Sequence, residues 1–130
     1  MNRGFTLLEL LVVVAIAGIL LALAVPSYQR HIQRSHRADA IRALLSIAGC
    51  LERSRAGTGY YNTADCSDAA HSKQYALLIE PPGAEDALRY RIIAEPLSDG
   101  DPCGSLSLDQ TGGRGISGPE GQRAACWRGR

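Results

Sequence analysis

The stretch from Phe5 to Val25 constrains this chain more than any other, because only Thr6, Glu9 and Gly18 interrupt its Leu, Val, Ile, Ala and Phe. As a helix it covers about 30 Å, the thickness of a bilayer's hydrocarbon core, so it is long enough to span. Glu9 is the flaw in an otherwise lipid-compatible segment. A carboxylate at membrane depth costs on the order of 2.5 to 3.5 kcal/mol even on permissive insertion scales, so Glu9 calls for a positive partner.

The flanks restrict the reading further. Met1-Asn2-Arg3-Gly4 is too short for the charged n-region of a secretory signal, the apolar run is too long for its core, and no A-x-A pattern follows Val25. Cleavage after the run is therefore not expected. Arg3 ahead of the span favours a cytoplasmic N-terminus.

Past the span the helical period persists. Tyr28, Ile32, Ala38, Ile41, Leu44, Leu45, Ala48 and Leu51 recur at three- and four-residue steps, predicting one stripe on a helix that runs from Phe5 to Ser54. Pro26 removes a backbone donor and predicts a kink, and Gly18 with Pro26 marks a segment that can locally unwind. Arg30, Arg34, Arg37 and Arg42 form a basic cluster read as the interface of the anchor, screening anionic headgroups or neighbouring subunits; the alternative, a nucleic-acid contact surface, would have only Tyr28 as an interleaved aromatic. The amphipathic half needs a covering surface. Three alternating runs supply it: Gln74–Glu80, Leu88–Glu95 and Ser105–Asp109, separated by Pro81-Pro82-Gly83 and by the Ser98–Pro102 turn. Short connections favour an antiparallel sheet, giving an α+β chain whose long N-terminal helix packs its second half on that sheet. The divisions expected are a leader at 1–4, a membrane helix at 5–26 and a head at 27–130. Within the head they are a helix at 27–54, a loop at 55–73, a sheet at about 74–110 and a C-terminal region at 111–130.

Cys50, Cys66, Cys103 and Cys126 all follow the span. An even number in a small exported domain suggests two disulfides in an oxidising compartment. Three connectivities are possible, and pairing of sequence neighbours, Cys50–Cys66 and Cys103–Cys126, is expected. Zinc is disfavoured because no C-x-x-C occurs and the three histidines are scattered. No catalytic constellation is present: G-x-S-x-G, H-E-x-x-H and a P-loop are all missing. His31 and His36 read as solvated surface, and Asp99-Gly100-Asp101 as a turn. No enzyme activity, metal or cofactor is expected.

Gly4-Phe5-Thr6-Leu7-Leu8-Glu9, the unbroken apolar run, Pro26 and Tyr28 resemble the class III signal of type IV pilins and secretion pseudopilins. The resemblance implies cleavage by a prepilin peptidase between Gly4 and Phe5 and N-methylation of Phe5. The new amine then neutralises Glu9 of a neighbouring subunit, and Gly18 and Pro26 belong to the segment that melts on assembly. It also implies an inner-membrane precursor with a periplasmic head, an assembly platform, and other pilins as partners in an extracellular filament. A second resemblance lies in Cys103-Gly104-Ser105-Leu106-Ser107-Leu108-Asp109-Gln110-Thr111-Gly112 with Cys126-Trp127, which is similar to the disulfide-bounded tail of minor pilins of the Neisseria-like group. That tail favours a minor pilin over a pseudopilin. Motility, adhesion and DNA uptake are all open to such a subunit.

The formal charge is +1, and it falls to zero once Arg3 leaves with the leader, so no global attraction to nucleic acid exists. An alternative function is nevertheless a DNA-uptake receptor with a local basic patch. Its candidates are Arg114, Arg123, Arg128 and Arg130, with Trp127 to stack on bases.

Overall fold

A computed structural model describes residues 5–80 and 88–128. Gly4 with the rest of the expected leader, the turn expected at Pro81-Pro82-Gly83, and Arg130 lie outside the described residues. The chain divides into two compact units, residues 1–33 and 34–130. The division falls beyond Pro26 because the first buried helical side chain is that of Arg37.

In the first unit the helix α1 (Leu7–Thr58) begins. Thr6 caps it: the Glu9 N–H donates to Thr6 Oγ1 at 3.3 Å, so Thr6-x-x-Glu9 has the spacing of a capping box. Glu9 thus sits in the first turn, where a carboxylate is favoured by the helix dipole. Every side chain from Phe5 to Val25 is exposed and apolar apart from the three already named. Mean hydropathy reaches 2.9 over an eighteen-residue window, so the helix is long and apolar enough to cross a membrane. It runs unbroken through Gly18 and Pro26. Pro26 deprives one carbonyl of its donor, a loss the surrounding turns tolerate, and Arg30 Nε donates to the Pro26 carbonyl at 3.3 Å. Local unwinding is absent from this isolated chain.

In the second unit α1 buries Arg37, Ala40, Ala43, Leu44, Ile47 and Leu51. The expected stripe is therefore rotated: Leu45 is 49% exposed, and Ile41 and Ala48 sit at the flank. Ala40 packs in the core with Leu44, Ile47 and Leu51, and Ala43 lies beside residues 70–74. The helix also outlasts Ser54. Gly59, at φ 86°, ends it by donating to the Arg55 carbonyl at 2.8 Å, the left-handed C-terminal cap that glycine adopts without penalty.

The sheet is an antiparallel meander, β1 (Tyr75–Glu80), β2 (Arg91–Pro96), β3 (Leu106–Asp109) and β4 (Arg114–Ile116), in that spatial order. Its fourth strand and a short helix α2 (Arg123–Trp127) were not among the expected elements. Tyr75, Leu77 and Ile79 face the same side as Ile92, Ala94, Leu106 and Leu108, and with Leu44, Ile47, Leu51 and Trp127 they make the core.

Cys50 bonds Cys66 and Cys103 bonds Cys126. The first ties the loop after α1 back to the helix. The second closes the segment that holds β3, β4 and α2. Its 23-residue separation corresponds to roughly 3 kcal/mol in the chain-entropy account. Replacing Cys103 and Cys126 together by serine is expected to lower the unfolding free energy by about that amount, read by urea titration. A loss below about 1 kcal/mol would show that this segment is held by packing alone.

At the end of α1, Tyr61 donates to Glu52 Oε1 at 2.9 Å and accepts from Arg55 Nη1 at 3.0 Å. Tyr61 and Tyr90 meet edge to face at 4.8 Å. Burial, and then the charge of Glu52, push the Tyr90 hydroxyl up to about 12.

Candidate nucleic-acid interface

The candidate surface is built on the β3–β4 hairpin and α2. Asp109 shapes the hairpin: its carboxylate accepts from the Thr111 N–H at 2.8 Å, the Thr111 hydroxyl at 2.6 Å and the Gly113 N–H at 2.8 Å. The Thr111 hydroxyl chiefly holds that carboxyl below the usual range, against the opposing effect of burial and with help from the Gly113 and Thr111 amides. Gly112, at φ 78°, makes the turn. A Cβ at Gly115 would meet Ser107 Oγ at 2.4 Å, so β3 and β4 approach each other closely beneath a hollow of about 560 Å³. Arg91, Arg114 and Arg123 line it together with Asp109.

Trp127 supports this surface from below. It is 6% exposed, its Nε1 donates to the Gly115 carbonyl at 3.1 Å, and the Arg114 guanidinium lies 5.2 Å from its ring centroid. A base therefore has no free indole face to stack on, which corrects the stacking role expected of Trp127. The indole instead anchors α2 to β4 and fixes Arg114. Arg123 has an exposed pairing with Glu120 at 3.5 Å, and Arg91 one with Glu80 at 3.8 Å. Both are solvent-screened and easily exchanged. Arg128 Nε donates to the Ala124 carbonyl at 3.0 Å. Arg114, Arg123 and Arg128 thus gather around Trp127 and share a second hollow of about 370 Å³. Arg91 joins them from β2, 23 residues before Arg114 in the chain; no local pattern in the sequence marks it.

A buried junction sets the other end of the disulfide-closed segment. Arg37 on α1 donates from Nε and Nη2 to Asp101 at 3.2 and 2.5 Å. The Tyr75 hydroxyl and the Cys103 N–H also donate to Asp101, at 2.5 and 2.9 Å. The Arg37 and Asp101 side chains are 6% and 7% exposed. Arg37 is consequently a core residue and not part of the anchor's basic interface, and Asp101 does more than turn the chain. Burial alone would raise the Asp101 carboxyl, but Arg37, Tyr75 and the Cys103 amide together hold it below the ordinary value. Burial, then Asp101 itself, pushes the Tyr75 hydroxyl well above its usual range.

Of the assembly residues, Phe5 and Glu9 are exposed, and a Cβ at Gly18 would meet nothing within 4 Å in the single chain. Among the described residues no group of three or more metal-ligating side chains exists.

Two family profiles match. Residues 26–107 match the profile described as type IV minor pilin ComP, DNA uptake sequence receptor. Residues 1–25 match the prokaryotic N-terminal methylation motif. Over 39 residues, 30% of this chain and 26% of the relative, there is 51% identity to the fimbrial protein EcpC of Eikenella corrodens. Over 35 residues, 27% of this chain and 22% of the relative, there is 60% identity to the type IV major fimbrial protein FimA of Dichelobacter nodosus. The chain thus matches about a quarter of the length of these relatives. A type IV pilin from Shewanella oneidensis superposes with a TM-score of 0.52 at 33% identity, covering 63% of this chain and 89% of that one. The Neisseria meningitidis non-core minor pilin PilV superposes with a TM-score of 0.57 at 22% identity, covering 69% and 91%, a likeness of fold.

Proposed function

We propose, from the premise that this chain belongs to the type IV minor pilin ComP family, that it is a minor pilus subunit that takes up DNA. Its precursor is membrane-anchored and it assembles with other pilins in a pilus, as its methylation motif and apolar helix imply. Sequence alone left DNA as the alternative to a purely structural role, and the family match brings it forward. The observation that carries it is the arginine surface of Arg114, Arg123 and Arg128. This surface lies beyond the stretch matched by the receptor profile, so the two supports are independent. Arg114 supports the reading most directly, because it has no carboxylate partner among the described residues and lies over the Trp127 ring, where a guanidinium suits a phosphate.

Assembly follows the N-terminal route. Prepilin peptidase cuts after Gly4, Phe5 is methylated, and the assembly platform draws the chain into the filament with the head on the periplasmic side. The secretion-pseudopilin alternative gains no support from the C-terminal surface.

The test uses the processed full chain in detergent with a fluorescent DNA duplex and follows anisotropy across salt concentration. Wild type binds with a steep salt dependence, and Arg114→Ala weakens binding across all sequences and lowers the slope by about 1. Absence of wild-type binding at low salt removes the DNA reading and leaves a structural pilin.

A further inference from the structure

The two edges of the sheet are not alike. At one, β4 is three residues long with Gly115 at its centre, and Trp127 Nε1 donates to the Gly115 carbonyl at 3.1 Å, so α2 closes that side. At the other lies β1, a six-residue Tyr-Ala-Leu-Leu-Ile-Glu strand paired on one side only, to β2. Its bonding pattern follows from Pro96, which has no N–H to offer Tyr75 opposite it, and from Leu97, whose N–H donates to the Gln74 carbonyl at 2.9 Å. Bonded pairs alternate along an antiparallel ladder, so Ala76, Leu78 and Glu80 direct their backbone groups to β2, while Tyr75, Leu77 and Ile79 turn theirs outward. Nothing among the described residues takes up those outward groups. The side chains show the same opening: Leu77 and Ile79 are half-buried where Ala94 and Ile92 opposite them are fully buried, and Leu78 on the outer face is 48% exposed. A proline, a bulge or an inward-pointing charge usually blunts such an edge, and residues 75–79 contain none of these.

We infer that this edge takes the same edge of a second copy of the chain, strand against strand in antiparallel sense and centred on Leu77. In that register Leu77 faces its own counterpart, Tyr75 faces Ile79, and about six backbone hydrogen bonds form from groups otherwise left to water. The contact is self-complementary, as a twofold pairing requires. Between the bonded pairs, Leu78 of each copy meets Ala76 of the other on the outer face, at positions where side chains come closest. Charge fixes the sense. Lys73 and Glu80 are the only charged residues from 73 to 80, one at each end, so antiparallel pairing brings unlike ends together and parallel pairing would join like with like. Direction then restricts where the pairing is made. Tyr75 at the start of β1 meets Asp101, the partner of Arg37, and Tyr90 just ahead of β2 reaches Glu52 at 3.4 Å, so β1 runs the same way as this part of α1. The two copies therefore carry these helical segments in opposite senses. Subunits anchored side by side in one bilayer share a direction, so the pairing joins subunits that meet from opposite directions, as on two separate filaments. It is independent of the DNA reading.

The experiment uses the processed full chain in detergent and follows dimer dissociation by sedimentation over a range of protein concentrations. Wild type is expected to dimerise reversibly. Leu78→Glu, at an exposed position, weakens the dimer at least about tenfold, because a twofold contact carries the change twice. Ala76→Lys combined with Leu78→Glu restores the dimer, since the two new side chains of opposite charge then lie beside each other across the twofold, and the one at position 76 also faces Glu95 within its own chain. Leu45→Glu, on the exposed side of α1, leaves the dimer unchanged. A melting temperature close to that of wild type reports that each variant is folded. A wild type that stays monomeric, a dimer that survives Leu78→Glu and so is held by the apolar helix, or a loss that the double variant does not reverse, each overturns the paired edge. DNA binding is untouched by any of these results.

Discussion

Glu9→Ala is expected to leave the membrane-held precursor intact while stripping the subunit from filaments. Removing the carboxylate relieves the roughly 2.5 to 3.5 kcal/mol of burying it at membrane depth, so insertion into the bilayer becomes easier. Under the proposed charge pair assembly suffers, because the methylated amine of a neighbouring Phe5 would lose its counter-charge and the register that the pair would impose. The first helical turn itself tolerates the change: Thr6 still accepts from the residue-9 amide through its hydroxyl, an interaction independent of that side chain. Quantitative mass spectrometry of sheared filaments and of membranes, wild type against variant, separates the two effects. Glu9→Gln should fail likewise, since it keeps shape and hydrogen-bonding capacity but not charge. Either variant present in filaments at the wild-type level, with an unchanged precursor pool, would falsify the charge-pair account of assembly.

The second large effect belongs to the Arg37–Asp101 junction. Asp101→Ala leaves a guanidinium that is 6% exposed without its carboxylate. It also strands the Tyr75 hydroxyl and the Cys103 amide. Breaking one partner of a buried pair costs about 3 to 5 kcal/mol, a large share of the stability of a domain this size. A fall of at least about 10 °C in the melting temperature is expected at neutral pH. The same junction sets an acid limit. Because the folded carboxyl is held below its unfolded value of about 3.9, its contribution is complete above that value and drains away as pH falls through the lower, folded one. Wild-type stability is therefore expected to decline below about pH 4 through this group, and Asp101→Asn, already destabilised, loses that part of the slope. A variant that melts within a degree or two of wild type would show that the pair is dispensable and that packing around Cys103 carries the junction.

These two residues differ in how visible they are in the chain. Glu9 stands out because its surroundings are local: a single acid in an apolar run needs no tertiary knowledge to be conspicuous. Asp101 looks like a turn residue between Gly100 and Pro102, and Arg37 looks like one of several arginines on a solvated helix. They are 64 residues apart, and only the packing of β1 and the Cys103 segment against α1 brings them together. The same distinction runs through the fold. Alternation in Tyr75–Glu80 and Leu106–Asp109 is a short-range signal and marks two strands nearly to the residue. β4 is invisible because Arg114-Gly115-Ile116 is three residues long in a glycine-rich stretch, and its strand character comes from pairing with β3. α2 is too short to show a period. Trp127 illustrates the point for the candidate site: an aromatic among arginines suggests stacking, yet the indole lies under Arg114 with its N–H committed to Gly115.

The amino-acid order alone determined the membrane-length helix, its solitary acid, the N-terminal methylation motif and an even set of cysteines beyond the span, since each depends on composition within a few residues. Tertiary structure decided which face of the helix is core, which cations are buried and which remain exposed, and how the cysteine-closed segment presents Arg114. Those outcomes depend on burial and pairing between distant residues, where a charge is stabilising or prohibitive according to what has folded against it.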